Sequence, residues 1–184
     1  MHYYFSYGSN MLVQRLSAPN RAPGAVALGT ALLTGRRLTF HKVSTRNSGQ
    51  RSGKCDIPLD TSPASEVYGV LFAVPDLKAL DEVEGVGHGY SRTSVWVHSS
   101  SHGLIEAVTY TADATDASII PYDWYWMLVL AGAEQHHLPD HYVATYIRSV
   151  TSTPDPGTER DYKDYRDGVS VLRQIGRWPP KAKH

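Results

Sequence analysis

From His2 to Ala112 the chain is written in strand-sized segments, and from Tyr122 onward in helical ones. That segregation constrains the fold more than any other feature. The aromatic run His2–Tyr7 stops at Gly8-Ser9-Asn10, which predicts a strand entering a turn, and Asn10 is placed to cap a helix from Met11 to Leu16. Leu38–Val43 reads as a strand, and Glu66–Val74 as a mostly buried one. Arg92–His98 alternates Val95 and Val97 against Trp96 and His98, and Leu104–Ala112 follows a Ser- and Gly-rich turn. Pro75-Asp76 opens a short helix through Leu77, Leu80 and Val83, which Gly85 stops. Tyr122–Ala133, the segment after Pro139-Asp140, and Tyr162–Ile175 carry helical spacing. Strands first and helices last predict an α+β fold.

Length and composition narrow the class. A chain of 184 residues suits one domain with a core of its own, and 20% charged residues exclude a disordered segment. The lone cysteine, Cys55, can form neither an internal disulfide nor a cysteine zinc cage, so a reducing, cytoplasmic compartment is expected. No apolar run reaches membrane-spanning length, and residues 1–20 lack the pattern of an export signal. The formal net charge of zero hides an asymmetry: residues 1–55 hold eight bases and no acid, and all 18 acids follow. Such a segment either lines a site for an anion or packs beside the acidic remainder so that the fields cancel. The second reading is favoured, because no dense basic run or nucleic-acid signature accompanies the excess. The polar stretch Ser44–Lys54 reads as a loop.

Two segments carry chemistry. A strand that turns sharply through Gly8-Ser9 into a helical turn points backbone N–H groups outward, which suits a carboxylate as well as a phosphate. Taken alone, Gly-Ser-Asn is more commonly an ordinary turn with a cap. The second segment is Asp81-Glu82-Val83-Glu84-Gly85 at the end of the Leu77–Val83 helix. There the helix dipole and Asp81, three residues back, both disfavour ionisation of Glu84, as partial burial would. A carboxyl tuned upward in this way fits a general base acting on an amine near neutral pH. Taken alone, such a cluster is usually a solvated face. The glycines Gly85, Gly87 and Gly89 follow a helix rather than joining strand to helix, so a nucleotide loop fails on context.

Taken together and in order, Tyr7-Gly8-Ser9-Asn10-Met11, Val67-Tyr68-Gly69-Val70-Leu71-Phe72 and Leu80-Asp81-x-x-Glu84-Gly85 with Tyr90 resemble the γ-glutamylcyclotransferase family. The segment Tyr122–Tyr146, with Gly132-Ala133 and Leu138-Pro139-x-x-Tyr142, resembles that family's carboxy-terminal part. The resemblance implies a mixed, partly closed β-barrel with flanking helices, over residues 1–150, with 151–184 an extension packed on the same domain. It implies conversion of a γ-glutamyl amide to 5-oxoproline with release of the amine, Glu84 acting as general acid and base. It further implies that Tyr4, Phe5, Ser6, Tyr7, Gly8, Ser9 and Asn10 cradle the substrate, with Tyr90 and Tyr110 lining the cavity. No metal, nucleotide or organic cofactor is implied. The expected partner is a small γ-glutamyl molecule, not nucleic acid or membrane, and a homodimer is left open. The basic Ser44–Lys54 stretch and the long tail after Thr151 depart from the compact members of the family, which leaves the released amine open.

Other constellations are weaker. Glu134, His136, His137, Asp140 and His141 include two histidines four apart, but Pro139 interrupts the helix a metal pair would need, and a solvated loop is the better account. Cys55 has no base that the sequence can place beside it. Tyr122, Trp124, Tyr125 and Trp126 read as packed core. A non-catalytic module that keeps the barrel and its carboxylate pocket is the alternative to an enzyme.

Overall fold

The computed structural model describes residues 1–45, 50–154 and 159–178. Among the described residues there are seven strands: β1 His2–Ser6, β2 Val26–Thr34, β3 Thr39–Thr45, β4 Arg51–Asp56, β5 Glu66–Val74, β6 Tyr90–Ser99 and β7 Gly103–Ala112. The helices are α1 Val13–Leu16, α2 Lys78–Glu84, α3 Asp123–Gln135, α4 Asp140–Val143 and α5 Glu159–Gln174. A 3₁₀ turn, Ser9–Met11, follows β1, and a π-helical turn, Ala144–Arg148, follows α4.

Five strands close a barrel in the order β1-β5-β2-β6-β7. The barrel is mixed because β1 meets β7 in parallel, Tyr4 opposite Val108, whereas the remaining pairs are antiparallel. Closure leaves no edge strand in this sheet, and β3 and β4 form a separate hairpin. β5 lies between β1 and β2, so from Val70 to Val74 every residue is buried, as its unbroken apolar run requires.

The helices supply the outer layer. In α3 every residue from Met127 to Glu134 is buried, and the helix packs on α5 and on the Ser9–Met11 turn. A helix apolar on nearly all sides must be enclosed in this way. Gly132 sets the closeness of that contact: a Cβ there would come within 2.7 Å of both the Leu12 nitrogen and the Met11 Cβ. From the tail, α5 buries Val169, Val171 and Leu172.

Two strands were not foreseen. β2 has only a weak apolar alternation, with Ala31 and Leu33 turned inward, and it is held by ladders to β5 and β6. The Ser44–Lys54 stretch is not a loop throughout: Ser44 and Thr45 pair with Ser52 and Arg51 in the β3–β4 hairpin. Its residues 46–49 lie outside the described residues, as do 155–158 and 179–184 of the tail. Asn10 is not a helix cap either, because neither the Ser9–Met11 turn nor α1 has a side-chain cap bond. Its amide is committed elsewhere.

The charge asymmetry resolves in part by pairing. Arg15 meets Asp164 at 2.7 Å, Arg51 meets Asp116 at 2.8 Å and Arg37 meets Asp60 at 3.5 Å, each a base from the first 55 residues on a later acid. Among the described residues no helix is long and apolar enough to cross a membrane.

Candidate active site

Topology brings Glu84 to the first turn of the chain. β1 and β7 run in parallel, and Tyr90 at the start of β6 pairs with Ala112 at the end of β7, so β6 begins at the barrel mouth where β1 ends. β5 runs against β1 and finishes at the opposite end, Val74 beside His2. The connection from β5 to β6 must therefore travel back along the barrel, and α2 makes that journey. Its last residue, Glu84, arrives at the mouth just before Gly85 turns the chain at φ 65°, a left-handed conformation suited to glycine.

At the mouth lies a small hollow, partly open to solvent. Tyr4, Ser6, Tyr7, Gly8, Ser9 and Asn10 form one wall, facing Glu84. Tyr90 and Tyr110 complete the set named from the sequence, and all of these residues converge on the one space. Phe5 does not: strand alternation turns its ring away from Tyr4 and Ser6 into the core, where it is fully buried. That placement corrects the expectation that Phe5 contacts substrate.

Asn10 is the hub of the polar network. Its amide nitrogen donates to Glu84 Oε1 at 2.9 Å and to the Tyr4 hydroxyl at 3.2 Å, and its oxygen accepts from Arg21 at 3.1 Å. The Arg21 guanidinium stands 3.9 Å from the same Glu84 oxygen. Burial pushes the Glu84 carboxyl above its ordinary value of 4.5, against the opposing pull of Arg21 and the Asn10 hydrogen bond. The upward direction is as the sequence suggested, and burial, rather than the like charge of Asp81, is its largest cause. Asp81 does not repel Glu84; its carboxylate is taken by Arg92 at 2.9 Å and by the Tyr110 hydroxyl at 2.8 Å.

The tyrosines are fixed by their hydroxyls. Tyr7 donates to the Tyr110 carbonyl, Tyr90 donates to the Cys55 carbonyl at 2.7 Å, and the Tyr125 hydroxyl accepts from the Cys55 N–H at 3.0 Å. Burial drives the hydroxyls of Tyr4, Tyr7, Tyr90 and Tyr125 upward, so they remain neutral donors and acceptors. The Ser6 hydroxyl is buried in the wall without a hydrogen-bond partner among the described residues. Such a group is costly unless something in the hollow completes it.

The fold thus presents a buried, proton-accepting carboxyl opposite a strand-to-turn wall rich in donors. Among known proteins, the sequence profile of the AIG2-like family matches residues 66–146. A γ-glutamylcyclotransferase from Bos taurus is 31% identical over 142 residues, spanning 76% of this chain and 73% of that protein. The chain belongs to the γ-glutamylcyclotransferase family. A human γ-glutamylcyclotransferase is likewise 31% identical over the same share of each chain. A solved γ-glutamyl cyclotransferase structure superposes with a TM-score of 0.77 at 26% identity, covering 90% of this chain and 98% of that one.

For this family member, two wall residues, Tyr125 and Cys55, escaped sequence reasoning, as did Arg21, which backs Asn10 and Glu84. Tyr125 was read as core with its aromatic neighbours, yet it lines the hollow, because α3 passes close behind Gly8. Cys55 enters through the unforeseen strand β4; burial pushes its thiol up to about 12, which makes it a poor nucleophile. Arg21 lies between α1 and β2 in a segment without a motif, and no pattern marked it. The histidine segment lies apart from this hollow. His137, Asp140 and His141 are exposed around the α3–α4 connection as expected, but Glu134 is buried at the end of α3 and paired with Arg148 and Arg177, which corrects the solvated-loop reading for that residue, and His136 Nε2 lies 3.0 Å from the Met11 carbonyl oxygen.

Proposed function

We propose that this protein cyclises γ-glutamyl amides, releasing 5-oxoproline and the amine, with Glu84 carrying the proton. The observation that supports this most is a buried carboxyl of raised pKa sharing one hollow with the Gly8–Asn10 turn. Backbone N–H groups at Gly8-Ser9 hold the α-carboxylate of the substrate, and the Ser6 hydroxyl and the tyrosine hydroxyls supply further polar contacts around the glutamyl chain. Held there, the α-ammonium faces Glu84 and gives it a proton. The freed lone pair attacks the side-chain carbonyl carbon of the same molecule, and a five-membered lactam forms. As the original C–N bond breaks, Glu84 passes its proton to the departing nitrogen, and the regenerated carboxylate takes the second proton from the ring nitrogen and yields it to the released amine, which leaves as an ammonium.

Two physical effects carry the rate. Ring closure is intramolecular, and a well-oriented intramolecular attack can match an effective molarity on the order of 10⁵ M or more. General acid–base transfer adds a factor of roughly 10²–10⁴. Every step uses side chains and backbone of this chain, and a cytoplasmic location suits such a reaction on a small soluble metabolite.

The test is direct. Incubated with γ-glutamyl-alanine, the protein is expected to release 5-oxoproline and alanine in equal amounts. Release of glutamate instead of 5-oxoproline, or tight binding with no product over hours, overturns the cyclase reading, the second outcome in favour of a binding module.

A further inference from the structure

Most polar side chains that line the hollow at the barrel mouth have already spent their protons. Tyr7 gives its one hydroxyl proton to the Tyr110 carbonyl, Tyr90 to the Cys55 carbonyl and Tyr110 to the Asp81 carboxylate. Asn10 gives its N–H bonds to Glu84 and to the Tyr4 hydroxyl. The Tyr125 hydroxyl accepts from the Cys55 N–H, and both it and the Cys55 sulfur crowd Gly8 from behind. Ser6 is different. Of the residues around the hollow, it alone has a side-chain oxygen shut off from water and bonded to nothing among the described residues.

Its position follows from the strand. Ser6 shares a face of β1 with Tyr4, and alternation turns both toward the hollow and Phe5 into the core. Two strand residues, about 6–7 Å, carry the chain from Ser6 to Gly8. A glutamyl side chain whose α-carboxylate is held at Gly8-Ser9 has the length to bring its far carbonyl back to that point.

We infer that Ser6 is a catalytic residue whose hydroxyl donates a hydrogen bond to the substrate's side-chain carbonyl oxygen as that oxygen becomes an oxyanion. The inference rests on the cyclase reading and fills a role which that reading leaves open. Attack by the amine forms the new C–N bond and moves the carbonyl π pair onto oxygen. Collapse returns the pair, restores the carbonyl and breaks the old C–N bond. Both nitrogens of the intermediate must reach Glu84, one to surrender a proton and the other to receive one. They therefore occupy the Glu84 side, and the oxygen is directed at the opposite wall, where Ser6 stands. The hydroxyl keeps its proton throughout. A donor fixed on a strand, without water or a competing partner, is preorganised for charge that develops only in the transition state. Left unpartnered in the free protein, the same hydroxyl costs stability, and the arriving oxygen recovers that cost.

Ser6→Ala tests this, because it removes no bond that another residue uses. With γ-glutamyl-alanine, kcat is expected to fall about 10²-fold while KM changes little, the pattern of an interaction made only in the transition state. Tm is expected to hold or rise, since an orphaned polar group has gone. Ser6→Thr, which keeps a hydroxyl and suits a strand, is expected to retain most of the rate. The thioamide of the same substrate identifies the atom contacted. Sulfur accepts hydrogen bonds weakly, so the oxygen-to-sulfur rate ratio of the natural chain is expected to shrink in Ser6→Ala. An unchanged kcat in Ser6→Ala, or a loss that leaves the oxygen-to-sulfur ratio where it was, overturns the inference. Either result with normal 5-oxoproline release by the natural chain overturns the role of Ser6 alone, whereas no release by the natural chain overturns the cyclase reading and this inference with it.

Discussion

Replacing Asn10 by alanine removes three hydrogen bonds at once, and two of them involve charged partners, Glu84 at 2.9 Å and Arg21 at 3.1 Å. A hydrogen bond to a charged group contributes about 1.5–3 kcal/mol, and the orphaned buried partners add a desolvation cost. The Glu84 side chain retains 17% exposure, so water recovers part of its loss. The expected destabilisation is about 2–4 kcal/mol, which at about 2–4 °C per kcal/mol for a chain of this size lowers Tm by roughly 5–15 °C. The loss depends on pH. Asn10 donates to the ionised carboxylate and so holds the Glu84 pKa below where burial alone would put it. Its removal moves that pKa further up, so the stability difference is largest above it and shrinks as pH falls through it. The acid limb of kcat/KM, where the base is lost to protonation, should move to higher pH in the variant. Thermal unfolding at several pH values and a pH–rate profile read both effects. An unchanged Tm together with an unchanged acid limb would refute the view that Asn10 organises the catalytic carboxyl.

Three further outcomes follow from the same geometry. Gly132→Ala normally strengthens a helix by up to about 1 kcal/mol, but here the new Cβ lies 2.7 Å from the Ser9–Met11 turn region, so a loss of about 1–3 kcal/mol is expected in denaturant unfolding. Since that contact seats the turn proposed to hold the substrate's carboxylate, KM should rise as well. Cys55, with its thiol pushed to about 12 by burial, should resist alkylation at pH 8 in the folded protein and react promptly once unfolded; fast labelling of the native state would contradict its burial. Tyr125→Phe leaves the Cys55 N–H without its acceptor at 3.0 Å and is expected to cost about 1–3 kcal/mol in thermal unfolding, whereas a neutral effect would place water at that bond.

Much of the barrel was legible because its strands differ physically from its helices. Glu66–Val74 was read with its boundaries correct, since an unbroken apolar run stopped by Pro75 admits few other structures. α2 was legible from Pro75-Asp76 at one end and Gly85 at the other. β4 was not, because Arg51–Asp56 is polar, without an apolar alternation, and is a strand by virtue of its ladder to β3. The site followed the same division. Residues on one strand and its turn, Tyr4 to Asn10, could be grouped from their adjacency, apart from Phe5, whose parity on the strand sends it inward. Cys55 and Tyr125 join the hollow from β4 and α3, and Arg21 reaches Asn10 and Glu84 from the segment between α1 and β2, which only the tertiary fold brings together. The raised pKa of Glu84 was foreseen in direction, but its origin in burial could not be read from neighbouring charges. Asp81, adjacent in sequence, turns to Arg92 and Tyr110, while Arg21, distant in sequence, supplies the charge that matters.

The most direct measurement is the rate of 5-oxoproline formation by Glu84→Gln, whose side chain keeps the size of the original but cannot accept the proton. The reaction proposed here requires a fall in kcat of about 10²–10⁴ with the fold intact by circular dichroism. A glutamine variant that turns γ-glutamyl-alanine over at the natural rate would mean that another group moves the proton.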